Sequence, residues 1–305
     1  MPLTARISNI SRCSLHDGPG VRTVVYFKGC AMRCKWCHNP ETFSPESEIF
    51  FNPSKCIHCG RCIEVCPEHH WVENGQLLYA RKGCLRCGRC TDTCPSGALS
   101  FVGEEMSVDH VFGEILKDSH YYERTGGGVT LSGGECLLQA EFARELLERC
   151  KEEDIHTAIE SAFFANWGNV EKVLPFTDFV FGDLKIADPD KHCAYTGQDN
   201  QRIIENLKRV TEIHPNVVIR IPLIPGVNDS AEDMKAFAKI INTFGDGVQG
   251  VELLKYNTLA GAKYKFLDKE YLSFVEEPQT NDHLYRLSET LMSRLSKSVK
   301  VYYNM

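Results

Sequence analysis

The cysteines of this chain are the residues whose type and spacing could do chemistry. Fifteen cysteines occur among its 305 residues, and eleven of them lie in three tight groups between Cys30 and Cys94. A disulfide framework is typical of small secreted domains, whereas thiols separated by two or three residues are placed to bind one shared metal centre. The grouping therefore predicts metal centres rather than cross-links.

The first group is an incomplete ligand set. In the segment GCAMRCKWCHNPE (29–41), Cys30, Cys34 and Cys37 are separated by three and then two residues. Three thiolates are one ligand short of a four-cysteine iron–sulfur site. The remaining position is then open to another ligand, as a catalytic metal site keeps one position free for substrate. The spacing predicts a catalytic cluster.

The other two groups repeat one pattern. Residues 56–67 (CIHCGRCIEVCP) and 84–95 (CLRCGRCTDTCP) both follow C-x2-C-x2-C-x3-C-P, the run of bacterial two-cluster ferredoxins, in which the fourth cysteine binds the other cluster. Zinc ribbons, the alternative, do not explain four cysteines per run. The predicted sets for two 4Fe–4S clusters are Cys56, Cys59, Cys62 and Cys94, and Cys84, Cys87, Cys90 and Cys66. Whether these clusters carry electrons or only hold the segment together stays open.

Composition and charge exclude several classes of protein. The net charge is −7 and 43% of the residues are hydrophobic, which is ordinary for a globular protein and argues against a nucleic-acid or anionic-membrane binder. No apolar run approaches the roughly 20 residues that cross a bilayer, and the N-terminal segment lacks the apolar core of a signal peptide. We therefore expect a cytoplasmic protein.

Outside residues 50–105, short apolar runs alternate with amphipathic segments. Helical patterns cover 141–150, 230–244 and 281–296, and a last strand is predicted at 299–303. The other predicted strands are 22–29, 128–132, 156–161, 179–185, 217–223 and 250–256. Runs of this kind are buried on both faces, so they predict a parallel-sheet α/β fold, either a full or partial barrel or an open doubly wound sheet.

Polar residues follow the predicted strands at the points where the strands end. The three-cysteine loop follows the first strand and Gly133-Gly134-Glu135 the second; then come Glu160-Ser161, Asp183 with Lys185, Arg220 through Asn228, and Tyr256-Asn257. The active sites of β/α barrels form at the carboxyl ends of their strands. The agreement of six such segments favours a barrel-like sheet with one opening.

The C-x3-C-x2-C loop, with an aromatic residue before its last cysteine, resembles the radical S-adenosylmethionine superfamily. The segment DGPGVRTVVYFKGCAMRCKWCHNPE (17–41) is similar, more narrowly, to the signature of glycyl-radical-enzyme activating enzymes, and LSGGE, DLK, RIPLIPGVND and the C-terminal AKY extend the likeness over nearly the whole chain. The ferredoxin-like run matches the branch of that family that carries an insert, unlike the plain pyruvate formate-lyase activators.

The resemblance implies an architecture. Residues 1–49 and 106–305 would form a partial (β/α)6 TIM-like barrel, and residues 50–105 an inserted ferredoxin-like domain with two 4Fe–4S clusters. A third 4Fe–4S cluster, on Cys30, Cys34 and Cys37, would be completed by the amino and carboxylate groups of S-adenosylmethionine.

The resemblance also implies an activity and partners. One electron, from a reduced ferredoxin or flavodoxin, would cleave S-adenosylmethionine to methionine and a 5′-deoxyadenosyl radical. That radical would take a hydrogen atom from the α-carbon of a glycine in the C-terminal loop of a partner glycyl radical enzyme. The protein itself would bind and orient the cofactor and the substrate and exclude water from them, while the cofactor carries out the radical chemistry. We expect it to act as a monomer.

Site residues carry over from the family only at matching positions. Trp36 would lie near the adenine, and the backbone of Gly133-Gly134-Glu135 would meet the methionine amino group. Asp183 and Lys185 match the D-x-K segment near the methionyl part and the substrate.

The remaining assignments concern charged and polar residues. Glu160 and Ser161 would bind the cofactor or a nearby monovalent cation. Arg220 lies within the apolar run VVIRIPL and needs an anionic partner, which the cofactor carboxylate would supply. Asn257 would bond the ribose or methionyl group, and Asp17 would help seat the glycine loop of the partner.

Two departures from the family pattern and four cysteines lie outside this scheme. Cys136 stands where the family often has Pro after GGE, and Asn257 where it commonly has His, so the residue at 257 cannot titrate as a histidine would. Cys150 belongs to an apolar helical stripe and is expected in the core. Cys13, Cys136 and Cys193 have no complementary set and receive no assignment.

The sequence leaves two alternative functions open. A different radical S-adenosylmethionine enzyme, such as a peptide maturase with auxiliary clusters, leaves the D-G-P-G-x-R segment unexplained. A simple electron carrier leaves the open three-cysteine site without a purpose. Among glycyl radical enzymes, the sequence does not choose between glycerol or diol dehydratases, choline lyase, hydroxyproline dehydratase and arylacetate decarboxylases as the partner.

Overall fold

The strands of the protein form one large sheet and two small ones. The computed structural model describes residues 2–275 and 277–303. In chain order the strands are β1 (Thr4–Ser14), β2 (Arg22–Phe27), β3 (Glu48–Phe51), β4 (His70–Glu73), β5 (Gln76–Tyr79), β6 (Leu99–Val102), β7 (Glu104–Ser107), β8 (Gly128–Gly133), β9 (His156–Ser161), β10 (Phe179–Asp183), β11 (Val217–Pro222), β12 (Val248–Leu254) and β13 (Lys300–Tyr303).

The helices pack around the large sheet or lie between the small ones. They are α1 (Arg61–Val65), α2 (Arg89–Asp92), α3 (Val108–Leu116), α4 (Ser119–Thr125), α5 (Ala140–Glu152), α6 (Trp167–Val173), α7 (Pro189–Thr196), α8 (Gln201–Ile213), α9 (Ala231–Ile241), α10 (Gly261–Phe266) and α11 (Asn281–Met292). Over residues 2–275 and 277–303, no helix is long and apolar enough to span a membrane.

The large sheet has nine strands in the order β13-β12-β11-β10-β9-β8-β2-β1-β7. Every neighbouring pair from β2 to β13 is parallel, and these strands follow one another in chain order. A doubly wound sheet reverses its strand order at a switch point, and this sheet has no such reversal. The carboxyl ends of seven parallel strands therefore share one edge.

The apolar runs of the sequence correctly located these parallel strands. The run 156–161 became β9 with the predicted bounds, and the run 250–256 became β12 with a shift of two residues. A capping box at Ser230 and Asp233 opens α9, which lies within the helical pattern predicted over 230–244. On α5 the predicted stripe is buried, and Cys150 lies in the core.

The sequence did not predict the antiparallel edge of the sheet. β1 pairs with β2 and with β7, both antiparallel. Its residues TARISNISRCS carry polar side chains at many positions, and most of them stay partly exposed. A strand that faces water on one side lacks the continuous apolar run of a strand buried on both faces. For that reason the apolar runs of the sequence did not predict β1.

The segment between β2 and β7 forms its own small elements. β3 pairs with β6 and β4 pairs with β5, both antiparallel, so the chain leaves and returns side by side. The short helices α1 and α2 begin after Gly60 and Gly88, which both adopt left-handed backbone angles. A separate apolar cluster centred on Ile49, Leu77 and Leu99 includes Cys62 and Cys90.

Asp118, which precedes α4, connects β1 to the parallel part of the sheet. Its buried carboxylate accepts hydrogen bonds from Arg12 Nε at 3.0 Å and from the hydroxyl of Thr23 at 2.8 Å. The Tyr122 hydroxyl donates to Thr23 in turn, at 2.6 Å. The hydrogen bond from Arg12 holds the pKa of Asp118 below its usual range, against the opposing effect of burial.

Asp118→Asn should lower the free energy of unfolding by about 2 kcal/mol at neutral pH, because buried hydrogen bonds to a charged group are lost. Since the folded pKa is depressed, this stabilisation is present above the ordinary aspartate pKa of about 3.9 and disappears as pH falls through the folded value. Denaturant unfolding at several pH values measures the difference. Asp109→Asn, in a largely exposed ion pair with Arg149, is the control and should cost less than about 1 kcal/mol.

Candidate active site

A cavity of about 430 Å³ opens at the carboxyl ends of the parallel strands. It is lined by residues from the three-cysteine loop and from the ends of β8 through β12. Of the predicted site residues, those on its wall are Cys30, Cys34, Trp36, Cys37, Gly133, Gly134, Glu160, Asp183, Lys185, Arg220 and Asn257. Segments up to about 220 residues apart in sequence thus meet in one place, as the chain order of the strands requires.

The cysteine loop is held in place by backbone hydrogen bonds to the end of α7. Arg33 N donates to the carbonyl of Thr196 at 2.7 Å, and Lys35 N to that of Tyr195 at 3.0 Å. The ring of Trp36 is buried between Tyr195 and Phe274, with ring centroids 6.4 and 6.3 Å away. The loop is therefore fixed against the body of the protein rather than free in solvent.

The three thiols suit a metal cluster in chemistry and in position. Burial raises the pKa of Cys34 and of Cys37 to about 12, so a metal's positive charge is needed for both to bind as thiolates at neutral pH. Within the described ranges, no three Cys, His, Asp or Glu side chains have the geometry of a single-ion site. Instead Cys30, Cys34 and Cys37 line one wall of the cavity, as ligands of a larger cluster would.

Gly133 and Gly134 bring the end of β8 into close contact with the start of the cysteine loop. Gly134 N donates to Phe27 O, and Glu135 N donates to Gly29 O, each at 2.9 Å. A Cβ atom on Gly134 would lie 2.3 Å from Gly29 O, and one on Gly133 would lie 2.3 Å from Phe27 N. The glycines expose backbone to the cavity because no side chain fits.

Glu135 and Ser161 lie beneath the cavity wall instead of on it. The carboxylate of Glu135 accepts hydrogen bonds from Ser161 Oγ at 2.8 Å and from the backbone N–H groups of Leu137 and Ala162 at 3.2 Å. Burial raises the pKa of Glu135 to about 7, against these bonds. In this structure the pair joins the ends of β8 and β9.

Asp183 and Lys185 form an ion pair of 2.7 Å in the cavity wall. Burial lowers the pKa of Lys185, but the carboxylate of Asp183 and the nearby thiol of Cys34 raise it more, so the lysine is charged. The backbone carbonyl of Lys185 is also bound by Asn228 Nδ2 at 2.6 Å. A fixed positive charge thus lies beside the cysteine loop.

Arg220 lies between two carboxylates of the site. Its Nη1 bonds Glu160 at 2.5 Å, its Nε bonds Glu252 at 2.7 Å, and its Nη2 donates to the carbonyl of His16 at 2.9 Å. The guanidinium carbon lies 3.4 Å from the ring centroid of Phe181. The chain itself therefore supplies anionic partners for Arg220.

Two further predicted residues are each held through both the backbone and the side chain. The carbonyl of Asn257 bonds His38 Nε2 at 3.0 Å, while its side chain accepts from Leu259 N at 2.9 Å. The carbonyl of Asp17 accepts from Thr130 Oγ1 at 2.6 Å, and the carboxylate of Asp17 bonds Ser14. Asp17 does not line the cavity but lies on the loop that Arg220 contacts at His16.

Arg22 is a residue of the site region that the sequence reasoning did not assign. Its fully buried side chain donates to Thr130 Oγ1 at 2.9 Å and to the carbonyl of Pro19 at 3.3 Å, and it bonds the ring of His156. It therefore orders the loop that carries Asp17. The signal was present as the arginine of D-G-P-G-x-R, inside a buried apolar strand, where an arginine needs several acceptors.

The structure places Cys94 beside the first run of cysteines and Cys66 near the second. A second cavity is lined by Cys56, Cys59, Cys62 and Cys94, together with apolar side chains. Around Cys90 the thiol neighbours are Cys66, Cys84 and Cys87, which with burial raise its pKa to about 11. Of the unassigned cysteines, Cys13 and Cys193 are exposed and Cys136 is buried.

The family model of the Radical SAM superfamily matches residues 24–238, from β2 to α9. A radical SAM methyltransferase from Sphaerobacter thermophilus has a similar fold, with a TM-score of 0.50 and 14% identity over 67% of this chain and 59% of that one. The family model thus covers the cysteine loop and most of the strand ends that line the cavity.

Two curated relatives narrow the class. The chain is 42% identical over 272 residues to the (2S)-3-sulfopropanediol dehydratase activating enzyme of Klebsiella oxytoca, covering 87% of this chain and 86% of the relative. It is 40% identical over 280 residues to the choline trimethylamine-lyase activating enzyme of Oleidesulfovibrio alaskensis, covering 88% of each. The chain belongs to the radical SAM superfamily and, within it, to the activating enzymes of glycyl radical enzymes.

Gly134→Ala should lower the free energy of unfolding by about 1–3 kcal/mol, because its methyl group would overlap Gly29 O and push the cysteine loop outward. Anaerobic denaturant unfolding measures the effect. Gly168→Ala, on α6 with no atom within 4 Å of the added carbon, is the matched control and should be neutral or stabilising. Equal stability of Gly134→Ala and the parent would show that the loop yields freely.

Proposed function

We propose that this chain activates a partner glycyl radical enzyme at the cavity described above. The observation that carries the proposal is the shared wall of Cys30, Cys34 and Cys37, which faces the backbone of Gly133 and Gly134. When bound there, a 4Fe–4S cluster with S-adenosylmethionine supplies, on one-electron reduction, the 5′-deoxyadenosyl radical that takes a hydrogen atom from a glycine of the partner. The chain's own residues would bind these groups, orient them and enclose them.

The glycine edge and the cysteine loop would hold the cofactor from two sides. With no side chains at Gly133 and Gly134, an amino acid group can approach the backbone closely. Lys185 would complement its carboxylate, since this ammonium lies beside Cys34 and is held by Asp183. Trp36, which also lines the cavity, would contact the adenine through its ring.

Arg220 acts in this proposal by orienting Glu160 rather than by binding the cofactor directly. One guanidinium lies between two carboxylates at this side of the cavity, and burial raises the pKa of Glu160 to about 7. When Glu160 is ionised, the group carries net negative charge, which favours the sulfonium of S-adenosylmethionine or a monovalent cation near Glu160, which Ser132 also bonds at 2.7 Å. Ser161 would support this side through Glu135 without touching the cofactor. Asn257 would offer its amide at the cavity rim.

The loop of residues 16–20 would receive the glycine-bearing segment of the partner. Arg220 fixes the carbonyl of His16, Thr130 fixes that of Asp17 and Arg22 fixes that of Pro19. Three anchored carbonyls make this loop a preformed surface next to the cavity. A preformed surface loses little conformational entropy when a partner binds. This supports the role predicted for Asp17.

We further propose the finer architecture that the family resemblance implies. Residues 1–49 and 106–305 would form the partial barrel, supported by the unreversed order of the parallel strands. Residues 50–105 would form the ferredoxin-like domain with two 4Fe–4S clusters, supported by the meeting of Cys94 with the first run and of Cys66 with the second. A ferredoxin or flavodoxin donor, a monomeric state and a cytoplasmic location stay predictions.

The relatives do not select the partner enzyme. The two relatives compared above act, by their names, with a sulfopropanediol dehydratase and a choline lyase, yet their identities to this chain differ by only two percentage points. The overall identity therefore reflects the shared chemistry more than the partner surface. The experiment has to present candidate partners directly.

Electron paramagnetic resonance of an anaerobic mixture tests the activity. Reconstituted protein, reductant, S-adenosylmethionine and a candidate glycyl radical enzyme should give a persistent organic doublet, which requires the cofactor and disappears with Cys34→Ala. Cys193→Ala changes an exposed cysteine outside every set and should keep the doublet. A partner with its glycine replaced by alanine should give none.

The outcomes separate the possible errors. Release of 5′-deoxyadenosine without a doublet from any candidate would contradict the activase role and keep the radical chemistry. Neither product, in protein with a full iron and sulfide complement, would contradict the assignment of Cys30, Cys34 and Cys37.

The crossed ligand sets are tested by two double variants of matched composition. Cys62→Ala with Cys94→Ala removes two ligands from one predicted set, so about four irons per chain should be lost and the other cluster kept. Cys62→Ala with Cys66→Ala removes one ligand from each set and should perturb both clusters. Iron and sulfide analysis with Mössbauer spectroscopy measures the difference. The reverse pattern would show that each run binds its own cluster.

A further inference from the structure

The hydroxyl of Tyr79 contacts a cysteine of the second predicted set. Tyr79 ends β5, and its Oη donates a hydrogen bond to Cys84 Sγ at 3.2 Å. Both residues are partly buried, so the bond competes only partly with water. The iron-binding pattern of the sequence does not require a tyrosine here, because Tyr79 lies before the first cysteine of its run.

The ring of Tyr79 is held firmly in this orientation. It stacks on His70, its partner across the β4–β5 pair, with centroids 4.8 Å apart and planes inclined by 18°. The guanidinium of Arg81 also lies over this ring, 4.9 Å from its centroid. The direction of the hydroxyl is thus set by packing and not by the cysteine alone.

The surroundings of the two cysteine sets differ. Besides Tyr79, the second set receives the backbone N–H of Arg86 on Cys84 at 3.4 Å and a hydrogen bond from the Arg89 side chain on Cys87. The first set faces apolar side chains: Ile57, Ile63, Val72, Leu77 and Leu99. Its Cys94 also accepts a hydrogen bond from the backbone N–H of Leu99 at 3.4 Å, and its side-chain hydroxyl neighbour is Ser96, whose Oγ is 3.7 Å from Cys94 Sγ. The hydroxyl of Tyr79, 3.2 Å from Cys84 Sγ, is therefore the closer of the two hydroxyl groups.

We propose that Tyr79 raises the reduction potential of the cluster bound by Cys66, Cys84, Cys87 and Cys90. The inference rests on the ligand sets under the proposed function. Reduction adds one negative charge to the cluster and its thiolates. A hydrogen-bond donor on a ligand sulfur stabilises the more negative, reduced form, and hydrogen bonds to the sulfurs are among the factors that set cluster potentials.

The position of this cluster gives its raised potential a consequence. Arg81, which packs on Tyr79, donates to the carbonyl of Phe266 at the end of α10. From the same helix, Lys263 Nζ bonds Asn39 at 2.8 Å and Glu41 at 2.5 Å, just after the catalytic cysteine loop. An electron given to this cluster by a one-electron carrier, which is thereby oxidised, would be held more strongly than it would be without the Tyr79 hydroxyl.

Potentiometric titration followed by electron paramagnetic resonance tests this inference on the full chain. A background with Cys34→Ala and Cys37→Ala removes the signal of the catalytic cluster. Adding Tyr79→Phe, which removes one oxygen and keeps the stacked ring, should lower one of the two midpoints. At fixed potential the ratio of reduced to oxidised cluster should fall about tenfold, equivalent to ~59 mV for one electron. The other midpoint should not move.

Ser96→Ala is the matched control, because it removes a hydroxyl near the other set. It should lower the other midpoint, by less than Tyr79→Phe lowers its own, since Ser96 is farther from its sulfur. Iron analysis distinguishes a failure of the proposed insert clusters from a failure of the inference on Tyr79. Fewer than about eight irons per chain in the background variant would contradict the proposed insert clusters themselves.

When the background variant holds about eight irons and shows two one-electron transitions, the midpoints test the inference on Tyr79 separately from the proposed clusters. Unchanged midpoints in Tyr79→Phe would overturn it. A shift of both midpoints would also overturn it, because the tyrosine would then act on the insert as a whole rather than through Cys84.

Discussion

The close contact between two glycines and the end of β2 is the constraint on which the site depends. Gly134 N and Glu135 N bond the carbonyls of Phe27 and Gly29, so the end of β8 and the start of the cysteine loop form one unit. Because no side chain fits at Gly133 or Gly134, the backbone itself forms that edge of the cavity. The thiols, the charges and the aromatic wall are arranged around this junction.

Charges at the cavity are paired before any cofactor binds. A charge removed from water is costly unless a partner compensates it, and Arg220 with Glu160 and Glu252, and Lys185 with Asp183, provide such pairs. The pairs also fix the orientation of these side chains. Charges fixed in this way need no rearrangement during the reaction.

Strand β3 is joined to the large sheet through a similar pairing. Glu48, the first residue of β3, bonds Lys28 and Lys269, each at 3.0 Å. Lys28 is buried directly after β2, so β3, the large sheet and the C-terminal segment meet at one carboxylate. Arg81 adds a second link, because it donates to the carbonyl of Phe266 at the end of α10.

The sequence by itself determined the parallel strands and the cysteine groups, because both are local patterns. A strand buried on both faces appears as an apolar run such as 156–161, and cluster ligands appear as spacings of two or three residues. Tertiary structure alone decided the partners of Arg220, since Glu160 and Glu252 are 60 and 32 residues away, and the position of Ser161 beneath the wall. It also decided the antiparallel β1, whose half-exposed face leaves no apolar run. Contacts between distant segments depend on how the strands are ordered, and no local spacing encodes that order.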